Sequence, residues 1–553
     1  MKRLRAALFV VGSLLSACGG TSVPVEEQLD FSARSWPENG PASCGDGAAG
    51  LSQVRAINKL TVEFTLCSPD VAFLQKVALS NFTIQDSGYL RAHAADGSIV
   101  TRPNGTGALS FSAWEKGSQI VLKRFESYWG DKAAAESVVI QWQPESSARL
   151  LAIQAGTADG IDSVGTDDVA AISTDPLLAL YPREALNTMY LGMNHDFAPF
   201  DDVRVRQAIA IALNRERIVD TFYPAGSTVA THFTPCVLPG GCAGDPWGQQ
   251  DVVLAKTLLA EAGYPNGFST TIEYRDAARG YLPVPTQIAT DIQDQLRAIG
   301  VRAELQLTES ATYLDRVFSG AIEGLFLWAW VADFPDASNF IAGGFGDGTN
   351  PALGSSYPTL TALVGELQGA SINSFESVYA RINSEVKVLA PMVPIAHGGS
   401  AIAFRSDVTG AHASPLFREQ LSEMRPGERD QLIWIQPAEP AGLYCADEFD
   451  TESMRVCIQI GEALYGFMSG TADVAPQLAT ECVASDNQLT WTCTLRDGVL
   501  FHNGATLDAS DVVDTYAAIW DCSHPYHAGR TNAFAPWVTM WSTHLNPEAC
   551  AAP

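Results

Sequence analysis

Between Ser269 and Leu307 a strand-like run, a helix and a second strand-like run follow one another, and no other stretch restricts the fold as much. Pro285 to Ile299 carries helical spacing and ends at Gly300, while Ser269–Tyr274 and Arg302–Leu307 flank it as strands. A strand–helix–strand unit suits an α/β domain. At 553 residues the chain is long enough for two or three such domains with sizeable cores.

Other segments extend the pattern. Ser147 to Ala155 reads as a helix stopped by Gly156, and Val252 to Ala262 as one capped by Gly263 with Pro265 beyond. From Val203 to Phe222, Val205, Ala208, Ile209, Ala212, Leu213 and Ile218 recur at i, i+3, i+4 spacing, which predicts a single helix behind Asp201 and Asp202. Asp315 to Ser319 adds another helical stretch. Ala56 to Thr65 reads as a strand leading into a hairpin, Trp114 to Phe125 as a strand pair about Lys116-Gly117-Ser118, and Gly324 to Val331 as an apolar strand. Residues 22–50, rich in Gly, Pro, Ser and Asp, read as a surface loop, and Arg425-Pro426-Gly427-Glu428-Arg429-Asp430 as a turn-rich linker.

The first residues carry an export signal: Lys2, Arg3 and Arg5, then an apolar run from Ala6 to Leu15 that is too short to span a bilayer. Leu15-Ser16-Ala17-Cys18 reads as a lipobox, so residues 1–17 are expected to leave as a signal peptide. Cys18 is then the lipidated end of a tether and loop over residues 18–50. The body would be exported and lipid-anchored to the cell membrane, facing periplasm or cell exterior. Of eleven cysteines, setting Cys18 aside leaves ten, an even number suited to disulfides in an oxidising compartment. Cys236 with Cys242, Cys445 with Cys457 and Cys482 with Cys493 are plausible local pairs; Cys44, Cys67, Cys522 and Cys550 allow three pairings. Tight Cys-x-x-Cys spacing with a matching second pair is absent from the sequence, so no zinc site or other metal or cofactor is expected. The net charge of −28 repels phosphate backbones and argues against nucleic-acid partners.

Catalytic patterns are missing from the sequence: there is no His-Glu-x-x-His, no Gly-x-Ser-x-Gly and no phosphate-cradling glycine loop ending in Lys-Ser or Lys-Thr. Glu145, Asp159 and Asp162 read as solvated loop carboxylates. An enzyme is not expected, a secreted peptidase or surface chaperone being the competing class.

Several blocks resemble the extracytoplasmic solute-binding proteins of family 5, the substrate-binding lipoproteins of peptide and nickel ABC importers. They are Pro199-Phe200-Asp201-Asp202-Val203-Arg204-Val205-Arg206-Gln207-Ala208 with Asn214-Arg215, and Asn187 to Asn194. Tyr128-Trp129-Gly130, Arg149-Leu150-Leu151-Ala152, Leu259 to Pro265 and Thr494 to Gly504 join them. Residues 430–520 resemble the beginning of that family's mature chain and residues 100–420 its remainder, which reads as a circular permutation with the linker at 425–431. The chain departs from the family where Gly105-Thr106-Gly107 is followed by Ala108-Leu109 in place of Pro-Tyr. The resemblance implies a two-lobed, type II periplasmic-binding-protein-like α/β fold with an extra subdomain in lobe one. Lobe one would take residues 22–186 plus 396–550 and lobe two residues 187–395. It further implies a monomer that captures di- or oligopeptides by hinge closure and hands them to membrane permease subunits, with oligosaccharides or metal chelates as alternative ligands.

Site residues follow from the same resemblance. Asp333, within Trp328-Ala329-Trp330-Val331-Ala332-Asp333, matches the acid that accepts a ligand's α-amino group, and a buried ammonium does require a carboxylate. Trp330 would stack beside the ligand. Arg279, in Arg279-Gly280-Tyr281-Leu282-Pro283, matches an arginine that takes the ligand's carboxylate through its planar fork, with Tyr281 beside it.

Overall fold

The structure, a computed structural model, describes residues 33–44, 50–275, 279–345, 351–368, 370, 374–541 and 543–550. Cys18 and the export signal lie outside the described residues. Three large sheets organise the chain. The first is antiparallel and runs in the order Arg34–Trp36, Leu51–Asn58, Thr61–Leu66, Thr490–Leu495, Ala479–Ala484. The second has seven strands, ordered Leu109–Glu115, Gln119–Arg124, Ser137–Trp142, Gln431–Gln436, Gly160–Ile161, Ser400–Arg405, Leu178–Arg183. The third has six, ordered Thr228–Val229, Met392–His397, Asn187–Met193, Leu325–Val331, Ser269–Tyr274, Arg302–Leu307.

Ser269–Tyr274 and Arg302–Leu307 lie parallel, Ser269 opposite Arg302, joined by the helix Pro285–Arg297. That helix buries Ile288, Ala289, Ile292 and Leu296 against the sheet, a stripe at helical spacing, and Gly300 ends it at φ +85°. Residues 186–396 supply almost all of the core around this third sheet.

The late segments complete sheets that the early segments begin. Gln431–Gln436 runs parallel to Ser137–Trp142 on one side and to Gly160–Ile161 on the other, so it is an interior strand. Its Trp434 is fully buried, and a Cβ on Gly160 would collide with the Phe404 ring and stand 2.7 Å from Trp434 Cε3. Thr490–Leu495 likewise pairs with Thr61–Leu66, and the helix Ala509–Trp520 packs on the same sheet.

Among the described residues five disulfides form, Cys236–Cys242, Cys445–Cys457 and Cys482–Cys493 among them. Cys482 and Cys493 face each other across the hairpin, and the open choice among the remaining four resolves as Cys44–Cys67 and Cys522–Cys550.

Three expectations need correction. Val203 to Phe222 is two helices, Val203–Ala212 and Arg215–Phe222, because Asn214 turns extended and its side chain accepts the Arg217 N–H at 2.9 Å. Ala56 to Thr65 contains a turn: Asn58 Oδ1 accepts the Leu60 N–H at 2.9 Å and folds the segment into two strands. Within the expected loop 22–50, Arg34–Trp36 adds an edge strand to the first sheet. The expected linker is tied down: Arg425 and Pro426 pair with Thr409 and Val408, and Arg429 meets Asp159 at 2.7 Å.

Candidate functional site

The chain passes twice between the seven-stranded and the six-stranded sheet, from Arg183 to Asn187 and from His397 to Ser400. Asn187 locks the two crossings together. Its amide donates to Gly398 O and accepts from Gly398 N, both at 2.8 Å. Gly398 lies so close to Gly280 and Tyr281 that a Cβ would stand 2.7 Å from Tyr281 Cα. Backbone rather than side chain therefore fills the crossing, and a cleft of about 530 Å³ opens beside it.

Strand direction explains what lines this cleft. Ser269–Tyr274 and Leu325–Val331 are parallel neighbours, so the segments after their carboxyl ends emerge on the same side. One delivers Arg279, Gly280 and Tyr281, the other Ala332, Asp333, Phe334 and Pro335, and all seven line the cleft. The opposing wall is Leu416, Phe417 and Arg418, and Ser163 borders it as well. Ser163 and Phe417 hold left-handed backbones at φ 49° and 58°, strain of a kind that clusters at ligand sites.

Asp333, Arg279 and Tyr281, the residues singled out in the sequence, thus line one cleft. Asp333 is exposed as a residue, but its carboxyl sits within the concavity. Burial there raises its pKa above the usual carboxylate range, against a hydrogen bond from Asn339 that lowers it. Asn339 donates to Asp333 Oδ2 at 3.3 Å, and its own oxygen accepts the Asp333 N–H at 3.2 Å. Arg279 is exposed and closes a tight turn with Leu282 through two backbone bonds. Tyr281 is held by Arg275, whose Nη2 lies 3.3 Å from the hydroxyl, and by Tyr223, which donates to its carbonyl at 2.9 Å.

Trp330 stands behind this group. It is not among the residues lining the cleft; its indole N–H donates to Asn339 Oδ1 at 2.9 Å, so it orients the amide that orients Asp333.

Beneath the opposing wall lies a closed ring of charge that was invisible in sequence. Arg183 reaches Asp162 at 2.9 Å and Glu419 at 2.5 Å; Arg455 reaches Glu419 at 2.9 Å and Asp162 at 2.7 Å. None of the four side chains is more than 3% exposed. Burial alone would raise both carboxyls, but the two guanidiniums win and hold Asp162 and Glu419 below the ordinary range. Asp162 is therefore no solvated loop carboxylate, and neither is Asp159, 2% exposed, which accepts the Ile433 N–H at 2.7 Å. Arg149 fixes the strained Ser163 by donating to its carbonyl at 2.6 Å and to Asp162 O at 2.9 Å.

Comparison with known proteins agrees with this architecture. Residues 28–351 and 473–542 match the family model described as bacterial extracellular solute-binding proteins, family 5 Middle. Heme-binding protein A of Haemophilus influenzae is 29% identical over 389 residues, covering 66% of this chain and 68% of the relative. The dipeptide-binding protein of Escherichia coli is 28% identical over 383 residues, covering 66% and 70%. The solved structure of HbpA2 from Haemophilus parasuis superposes with a TM-score of 0.62 at 29% identity, over 65% of this chain and 72% of that one. A murein tripeptide-binding protein in its unliganded open form shares the fold, with a TM-score of 0.54 at 17% identity over 69% and 87%. With a family model matching well over half its length and a two-lobed α/β architecture around a cleft, the chain belongs to the extracellular solute-binding proteins of family 5.

Proposed function

We propose that the chain captures peptides in the cleft between its lobes and delivers them to the permease of an ABC importer. The observation that carries this reading is the convergence of Asp333 and Arg279 on one cleft from the carboxyl ends of two parallel strands. Opposite charges on one wall suit a zwitterion: Asp333 accepts the ammonium and Arg279 the carboxylate. Peptide backbone bonds, rather than side-chain pockets, would give broad sequence tolerance. The relatives named for dipeptide binding support this ligand class.

Lobe one comprises residues 22–186 with 396–550 and lobe two residues 187–395, and they close about the two crossings near Asn187 and Gly398. The closed form is what the permease recognises, and the protein works as a monomer without turning its ligand over. Cys18 carries the lipid that holds it at the membrane; no helix among the described residues is long and apolar enough to cross one. Native mass spectrometry of membrane-purified protein tests both points at once. It is expected to find a peptide travelling with the chain and diacylglycerol on Cys18. Any other solute retires the peptide reading, and a mature N-terminus elsewhere retires the anchor.

The permuted order is part of the same proposal. Its support is that Gln431–Gln436 and Thr490–Leu495 are interior strands of sheets begun before residue 143. A chain ending before Arg425 loses both strands, and its circular dichroism melt is expected to show no cooperative lobe-one transition. A folded, ligand-binding fragment refutes the permutation.

A further inference from the structure

Of the arginines Arg183, Arg455 and Arg418, which lie at or beneath residues 415–419, only the first two have carboxylate partners among the described residues. Arg183 and Arg455 share Asp162 and Glu419 in the closed ring. Arg418 is the third. It lines the cleft and also a small cavity of about 30 Å³ behind it. Its Nη1 is shut off from solvent and has no hydrogen-bond partner among the described residues. Glu419, its neighbour in sequence, is committed to Arg183 and Arg455. Burial pulls the Arg418 pKa down to about 10, and no carboxylate offsets it.

A buried cation without a counter-ion is costly, and folded proteins keep such groups paired. The larger of the two cavities that Arg418 lines is the cleft. The fork of a guanidinium donates two parallel hydrogen bonds to a carboxylate, a geometry a free ammonium cannot reproduce. We infer that Arg418 is an anion-docking residue of lobe one and that the solute carries a carboxylate reaching across the cleft to it. Arg418 and Asp333 then grip the ligand from opposite walls, so that binding itself draws the lobes together. This rests on the reading of the cleft as a solute site, and it adds a specificity determinant that Arg279 alone does not supply. The carboxylate is either a peptide's own terminus, which Arg418 then shares with Arg279, or an acidic side chain.

The test compares parent protein, Arg418→Gln, Arg418→Lys and Arg418→Met. Binding is measured by native mass spectrometry with three dipeptide pools: neutral free acids, neutral C-terminal amides, and amides containing Asp or Glu. Loss in Arg418→Gln of at least a tenfold preference for free acids over neutral amides assigns the terminal carboxylate. Loss of an equal preference for acidic over neutral amides assigns the side chain. Arg418→Lys is expected to restore part of either. An Arg418→Gln protein that keeps both preferences overturns the inference and leaves the peptide reading standing. If the parent captures no peptide, that reading falls and the ligand-free melting temperature decides. Arg418→Met melting at or below the parent overturns the role, and melting above it supports docking of a non-peptide carboxylate.

Discussion

Glu419→Gln is expected to lose about 3–5 kcal/mol of stability, the usual cost of removing one partner from a buried ion pair and leaving the other uncompensated. Glu419 holds both Arg183 and Arg455, so its neutralisation leaves two buried cations sharing Asp162 alone. Urea unfolding with tryptophan fluorescence measures the loss. Arg297→Gln is the control: its partner Asp294 and the guanidinium are both more than half exposed, and such pairs contribute about 0–1 kcal/mol. Equal effects of the two substitutions refute the weight given to the ring. The pH dependence follows from the depressed pKa values of Asp162 and Glu419. Their contribution is fully present above the unfolded carboxylate range, near 4, and is lost as pH falls through the folded values. Glu419→Gln flattens the acid limb of the stability curve.

Asp333→Asn is expected to weaken binding of a free-amine peptide by about 2–5 kcal/mol, or roughly thirty- to several-thousand-fold, while leaving an N-acetylated peptide nearly unchanged. Burial raises the Asp333 pKa, so at a given acidic pH the empty site is more protonated than an ordinary carboxylate would be. An ammonium binds the ionised form. Affinity of the parent therefore falls as pH descends through that raised value, and the Asn variant shows no such fall over the same range. Isothermal titration from pH 7 to pH 4 reads both effects. A parallel loss for free and acetylated peptides removes the amine-binding role of Asp333.

The class of fold was written locally. The strand–helix–strand unit around Pro285, the turn at Lys116-Gly117-Ser118 and the glycine stops at Gly156, Gly263 and Gly300 all use short-range rules, and each stands where expected. Errors arose where one polar side chain redirected the backbone. Asn214 divides a continuous apolar stripe into two helices and Asn58 divides a strand into a hairpin, because each offers the main chain a hydrogen bond better than the pattern it interrupts. At the site, motif resemblance brought out Asp333, Arg279 and Tyr281. It missed Asn339, Asn187 and Arg418, whose roles lie in contacts. A Phe417-Arg418-Glu419 string gives no sign that its acid is spoken for and its base is not.

By itself, then, the sequence determined an α/β chain, its family blocks, three local disulfides and the two charged residues, Asp333 and Arg279, that line the cleft. Tertiary structure alone decided that Gln431–Gln436 runs between Ser137–Trp142 and Gly160–Ile161, that Cys44 joins Cys67, and that Asp162 and Glu419 close a ring with Arg183 and Arg455. The physical reason is range. Capping, turn geometry and periodicity act within a few residues and are legible in order, whereas Glu419 and Arg183 are 236 positions apart and meet only when the loop carrying Glu419 is laid against the edge of the seven-stranded sheet.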